Sequence, residues 1–135
     1  MLKKIVFISF SLLVFSCGRN KPKDGYAEMS FEEIKYDFGK INEGQVVEKK
    51  FFFTNTSSND LQIEDVSASC GCTVAEYPKG KVKPNEKAMI KVSFNSRGKH
   101  GKQEKNIKII VNTKDKTEVL KISADVKPTS GISGF

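Results

Sequence analysis

The sequence predicts an all-β fold, an antiparallel sandwich of about seven short strands. Three observations carry this expectation. Six segments alternate apolar and polar residues with period two, as strands with one buried and one wet face do. Turn residues punctuate these segments every 8–15 residues. No stretch of ten or more residues holds an apolar stripe at helical spacing, which disfavours a parallel α/β architecture. The pattern suits an immunoglobulin-like sandwich, and the absence of Trp removes the Cys…Trp…Cys spacing of antibody domains.

In chain order, Ile34, Tyr36 and Phe38 alternate with Lys35 and Asp37, and Asn42-Glu-Gly44 turns the chain. Phe51 and Phe53 define the next buried face, ending at the polar run Asn55–Asp60. Leu61 and Ile63 begin a third strand. Pro78, Gly80 and Pro84-Asn85 mark a longer crossing. Ala88, Ile90, Val92 and Phe94 form a fourth strand, and Gly98 and Gly101 then bracket His100. Ile107, Ile109 and Val111 form a fifth strand, Asn112–Lys116 turn, and Leu120, Ile122, Ala124 and Val126 form the sixth. After Pro128 the chain reads as a loose tail, residues 128–135.

The length of 135 residues allows one such domain. The net charge is +7, from 23 basic and 16 acidic residues. The basic residues are scattered across strands, densest from Arg97 to Lys105, and nucleic acid is not an expected partner. With one His, no site can draw two histidines from a single chain. There is no Walker or Rossmann glycine motif and no Gly-x-Ser-x-Gly. The acids at Glu32-Glu33, Glu64-Asp65 and Asp115 read as solvated surface. No catalytic residue is assigned, and the chain is read as a non-enzyme.

The N-terminus gives an address. Met1-Leu-Lys-Lys, an apolar run from Ile5 to Phe15 and a small residue before the break describe a secretory signal peptide over residues 1–16. The run is too short to span a bilayer, which takes about 20 residues. Val14-Phe-Ser-Cys17 resembles the lipobox of bacterial lipoproteins, with Phe15 the less usual residue. That resemblance implies cleavage before Cys17 and covalent diacylglycerol on its thiol, the only non-protein group expected. Residues 17–28 then form a flexible linker in which Arg19, Lys21 and Lys23 follow the anchor. The sandwich domain is expected over 29–127.

The domain also carries an ordered series of motifs. These are Tyr36-Asp-Phe-Gly-Lys-Ile-Asn-Glu-Gly44, Phe51-x-Phe-x-Asn55, Leu61-x-Ile63, Ser69-Cys-Gly-Cys-Thr73 and Ile90-x-Val-x-Phe94. The series resembles the bacterial domain of unknown function 1573 family over roughly residues 31–126. That family is similar to the Hydin-like and major-sperm-protein-like immunoglobulin folds. The resemblance implies a seven-stranded sandwich in bacterial envelope proteins, often lipid-anchored, and implies no activity.

Cys70-Gly71-Cys72 is the one constellation able to carry chemistry. In an oxidising compartment the pair can bridge. Residues i and i+2 on a straight strand lie near the 7 Å limit for a disulfide, so a bridge needs a bend, for which Gly71 offers freedom. Four readings stay open: a structural element, a thiol–disulfide redox pair, a soft-metal site for Cu(I) or Zn²⁺, and a partner contact. Redox pairs usually have Cys-x-x-Cys spacing, and a closed tetrahedral site lacks two ligands here. His100 is a weak third metal ligand. If strands alternate up and down, loops 39–45, 70–80 and 96–103 share one end of the sandwich. Asp37, Phe38, Gly39, Lys79, Arg97 and Lys99 are the expected recognition pole there.

These readings converge on a lipid-anchored module of the bacterial envelope, facing the periplasm, with a binding or structural role. Its partners would be the membrane and an envelope protein or anionic polymer. The competing reading is a redox or metal-handling protein using Cys70 and Cys72.

Overall fold

A computed structural model describes residues 25–129. Cys17, the leader, most of the linker and the end of the tail lie outside the described residues. Eight strands form two four-stranded sheets, and no helix occurs among the described residues. The strands are β1 (Met29–Phe31), β2 (Lys35–Asn42), β3 (Val46–Asn55), β4 (Ile63–Ala68), β5 (Thr73–Glu76), β6 (Lys87–Asn95), β7 (Gly101–Val111) and β8 (Thr117–Lys127). One sheet runs β1-β3-β6-β5 and the other β2-β8-β7-β4. β1 and β2 are two halves of one edge segment that changes sheets across residues 32–34. Counted as one, they leave the seven strands and the sheet orders of a constant-type immunoglobulin domain.

The core follows from the alternation. Phe51 and Phe53 of β3, Ile90, Val92 and Phe94 of β6, Ile107 and Ile109 of β7, and Leu120 and Ile122 of β8 are all buried between the sheets. Phe52, between two buried phenylalanines, is 37% exposed because successive strand residues point to opposite faces. Burying one such Phe contributes about 1.5–3 kcal/mol.

The structure departs from the sequence reading in three ways. β2 pairs with β8 in parallel, Tyr36 opposite Ile122 and Ile41 opposite Val126, so the sandwich is not wholly antiparallel. Ile34 lies before β2 and is half exposed, and Tyr36 and Phe38 face inward at an open edge. There Tyr36 packs edge-on against Phe38, and Lys49 lies 4.1 Å over its ring. Leu61 precedes β4 and pairs in an isolated bridge with Val82.

Every sheet edge is blunted. β1 has three residues and β5 four. β4 shifts register between Ile63 and Asp65, and β2 between Asp37 and Lys40. At the β2 irregularity Gly39 takes φ +68, a left-handed conformation costly for other residues, and Asp37 Oδ1 accepts its N–H at 2.9 Å.

Candidate functional site

The Cys-Gly-Cys segment lies where the chain leaves β4 and crosses to β5 in the other sheet. Ser69 N–H donates to Asn106 O at 3.0 Å, and Asn95 N–H donates to Cys72 O at 2.9 Å. The crossover is thereby tied to both sheets. Thr73 N–H closes the turn on Cys70 O at 3.2 Å. The turn brings the cysteine Cα atoms to 5.3 Å, inside the disulfide range, and the sulfurs are bonded at 2.06 Å. Gly71 needs neither a left-handed φ nor space denied to a Cβ, so the bend comes from the turn and not from glycine's freedom. Cys72 packs against the core, and Cys70 Sγ lies 3.8 Å from Thr73 Oγ1.

Two further loops meet at this end. The Ser96 hydroxyl donates to Asn42 O and Gln45 O at 2.7 and 2.9 Å, and Ser96 itself is fully buried. Glu43 organises the rest. Its Oε1 accepts Gly98 N–H at 3.3 Å, and its Oε2 lies 3.8 Å from His100 Nδ1. Its backbone N–H donates to Lys127 O at 2.8 Å. In the sequence Asn42-Glu-Gly44 stands as a turn, as the end of the Tyr36–Gly44 motif and within the 39–45 loop, with no role given to Glu43. The signal available was an acid directly before a turn glycine. Between Ser96 and Gln103 the chain carries Arg97, Lys99, His100 and Lys102 and no acid.

The structure divides the expected recognition pole. Arg97 and Lys99 do lie at the Cys-Gly-Cys end, since their loop follows β6 at Asn95. Asp37, Phe38 and Gly39 lie in the body of β2, at a sheet edge and not in a loop. Lys79 lies toward the other end, because β5 runs away from Thr73, opposite Phe94, to Glu76, opposite Lys91. There Lys79 O accepts from Gln62 Nε2 at 3.3 Å, and its ammonium sits 3.5 Å over the Tyr77 ring. Cys70, Cys72 and His100 do not assemble into a ligand set. Both sulfurs are spent on each other, His100 faces Glu43, and among the described residues no group of three metal-ligating side chains converges.

The opposite end receives the N-terminal segment. Ala27 N–H donates to Asn112 O at 3.0 Å, and Tyr26 O accepts from Asn59 Nδ2 at 2.8 Å. Asn55, fully buried, is the hub of that end. Its Nδ2 donates to Asn59 O and Val82 O, and its Oδ1 accepts from the Ser57 N–H and hydroxyl. Two lysines share one carboxylate there: Lys83 and Lys81 reach Asp60 Oδ2 at 3.1 and 3.7 Å, and the Lys83 hydrogen bond leads in holding the Asp60 carboxyl below its ordinary pKa.

The family model described as protein of unknown function, DUF1573, matches residues 29–126. The chain belongs to this family. It is a family of unknown function. No curated protein matches the chain. Among solved structures, a protein of unknown function from Porphyromonas gingivalis W83 is similar at 16% identity with TM-score 0.65. That match covers 73% of this chain and 46% of the other, so the DUF1573 chain spans about half of its neighbour's length. The ASH/PapD-like domain 7 of human CEP192 is similar at 13% identity and TM-score 0.62, over 93% of this chain and 100% of that domain. The Vibrio cholerae VesB protease is similar at 14% identity and TM-score 0.59, over 74% of this chain and 32% of that one. These likenesses establish the immunoglobulin/PapD-like fold and nothing of activity.

Proposed function

We propose that the chain is a non-catalytic module, lipid-anchored through Cys17 in the bacterial envelope and facing the periplasm. Its tether-distal end engages an anionic envelope component, protein or polymer. One observation carries the reading: the N-terminal segment at Tyr26–Ala27 is bonded to the end of the sandwich opposite the Cys-Gly-Cys turn and the Arg97–Lys102 loop. A lipid at Cys17 stands eight residues before Gly25, a reach of at most about 29 Å. The 11 residues of β7 separate the two ends by about 35 Å. An anchored molecule therefore presents the cationic loop away from the surface, where an anionic partner is reached without headgroup competition. Each buried CH₂ of the anchor adds about 0.8 kcal/mol to membrane retention.

Intact mass of the envelope-purified protein tests the anchor, with a diacylated chain beginning at Cys17 expected. An unlipidated mature chain overturns it. Pull-down with the Arg97→Glu/Lys99→Glu variant tests the pole. Loss of envelope partners is expected, and an unchanged partner set refutes the assignment.

The bonded state of Cys70 and Cys72 leaves two roles for the bridge, a structural one and, as a second reading, thiol–disulfide exchange. Exchange requires the pair to be reduced and reoxidised during growth, which alkylation of intact cells reads directly. The structural reading expects the pair to stay protected until reductant is added.

A further inference from the structure

The outer face of the β2-β8-β7 sheet carries its charges in rows. Cross-strand register places Lys35 beside Lys121 and Asn106 in the first row. Asp37, Ser123 and Glu104 form the second. Lys40, Asp125 and Lys102 form the third. All point outward, because the intervening β8 residues Ile122, Ala124 and Val126 are buried. Two shallow depressions, about 430 and 610 Å³, lie along these rows and share Asp37, Glu104 and Ser123.

Two features of this face cost stability. Lys35 and Lys121 are register partners on adjacent strands, and like charges directly opposite are destabilising, a cost that the Lys121 ion pair with Glu104 at 3.7 Å offsets only in part. The third row exists only because of the β2 irregularity. In a regular strand Lys40 would share an inward face with Tyr36 and Phe38. The extra residue turns Lys40 outward beside Asp125 and returns Ile41 to the core at 6% exposure. Lys40 and Lys102 join Lys127 around the single carboxylate of Asp125, leaving that row cationic.

We infer that this face binds an extended peptide carrying an ammonium group flanked on each side by carboxylates. The rows stand two residues apart, about 6.6 Å, which is the spacing of side chains i and i+2 on an extended chain. A ligand lysine fits over the small Ser123, between Asp37 and Glu104 on the flanking strands, each about 4.8 Å away at the backbone. It takes the Asp37 oxygen not bonded to Gly39 N–H and shares Glu104 with Lys121, an exposed pair at 3.7 Å that gives up little on exchange. Its acidic residues fall over the two lysine rows. The irregular β2 edge opposes strand addition, so the ligand lies on the face of the sheet. This surface meets the tether-distal loop at Lys102 and otherwise lies on the body of the sheet, and the inference holds whether or not Cys17 is lipidated.

The test is a titration of the full, isotope-labelled chain with the capped peptide Asp-Thr-Lys-Thr-Asp, read by amide NMR shifts. Saturable shifts centred on Ser123 and its β2 and β7 neighbours are expected, weakening with salt. The charge-reversed peptide Lys-Thr-Asp-Thr-Lys is expected to bind at least about tenfold more weakly, as is the Ser123→Lys variant. If Ser123→Lys disturbs folding, Glu104→Gln serves, with a loss of about threefold expected. Equal binding of the two peptides overturns the inference. So does the absence of saturable shifts at millimolar peptide, or concentration-dependent self-association through this face in place of peptide binding.

Discussion

Replacing Asn55 isolates what one buried amide contributes to the end of the sandwich that receives the N-terminal segment. The side chain is fully buried and makes four hydrogen bonds, to Val82 O, to Asn59 O and to both polar groups of Ser57. In Asn55→Ala the Val82 carbonyl keeps its bond from Leu61 N–H, and Ser57 and Asn59 are only partly buried, so water replaces part of the loss. Taking about 1 kcal/mol for each lost bond and crediting water with one of the four gives about 3 kcal/mol. For a domain of this size that lowers Tm by about 12–24 °C. Asn55→Asp keeps the volume but aims a carboxylate oxygen at two carbonyls, and it is expected to cost at least as much. Urea denaturation followed by circular dichroism gives both values. An Asn55→Asp protein as stable as the parent, or an Asn55→Ala loss below about 1 kcal/mol, refutes the assignment of this network as a structural hub.

Three other predictions follow from the same coordinates. Phe53→Ala is expected to cost about 3–5 kcal/mol, whereas Phe52→Ser, one residue away on the wet face, changes stability by less than about 1 kcal/mol in the same urea assay. Because the Cys70–Cys72 loop is so short, the Cys70→Ser/Cys72→Ser variant is expected to lose only about 1.5 kcal/mol of chain-entropy stabilisation, measured against the parent in parallel urea titrations. Burial, followed by the nearby Asp115 charge, raises the Glu118 carboxyl above its ordinary pKa. A raised pKa means that the folded chain holds this proton more tightly. The favourable contribution is therefore present below the unfolded pKa and lost as pH rises through the folded value. Glu118→Gln is expected to raise Tm at neutral pH and to converge with the parent as the solution is acidified below pH ~4, read by thermal melts across that range.

The long strands were legible because their buried residues come from uninterrupted alternation: Phe51/Phe53, Ile90/Val92/Phe94, Ile107/Ile109/Val111 and Leu120/Ile122/Val126. β1 and β5 were not, since three and four residues are too few to display a period. The parallel pairing of β2 with β8 was also hidden. Alternation states which residues share a face, not which strand lies beside them. Of the residues expected together at one pole, the positions of only some were legible. Arg97 and Lys99 sit in a glycine-marked loop whose position follows from strand order. Asp37 and Phe38 read as the end of a strand leading into a loop at Gly39, whereas the segment is an irregularity inside an edge strand, set by its pairing with Ser123 and Asp125. Asn55 was read as the start of a polar loop. Its burial depends on Val82, which is distant in sequence. The cysteine bridge was legible as a possibility from spacing alone, and the turn that permits it depends on contacts with Asn95 and Asn106.

The blunted edges bear on life in a crowd. A protein held on a surface meets its own copies at far higher local concentration than in free solution, with their long axes aligned. Aligned sandwiches with open, regular edges would zip sheet to sheet into ribbons. Here a three-residue strand, a four-residue strand and two broken registers leave no edge long enough to template a neighbour. The same glycine-bearing irregularity that turns Lys40 outward also interrupts the β2 edge, so copies anchored as proposed through Cys17 would meet with no regular edge through which to merge.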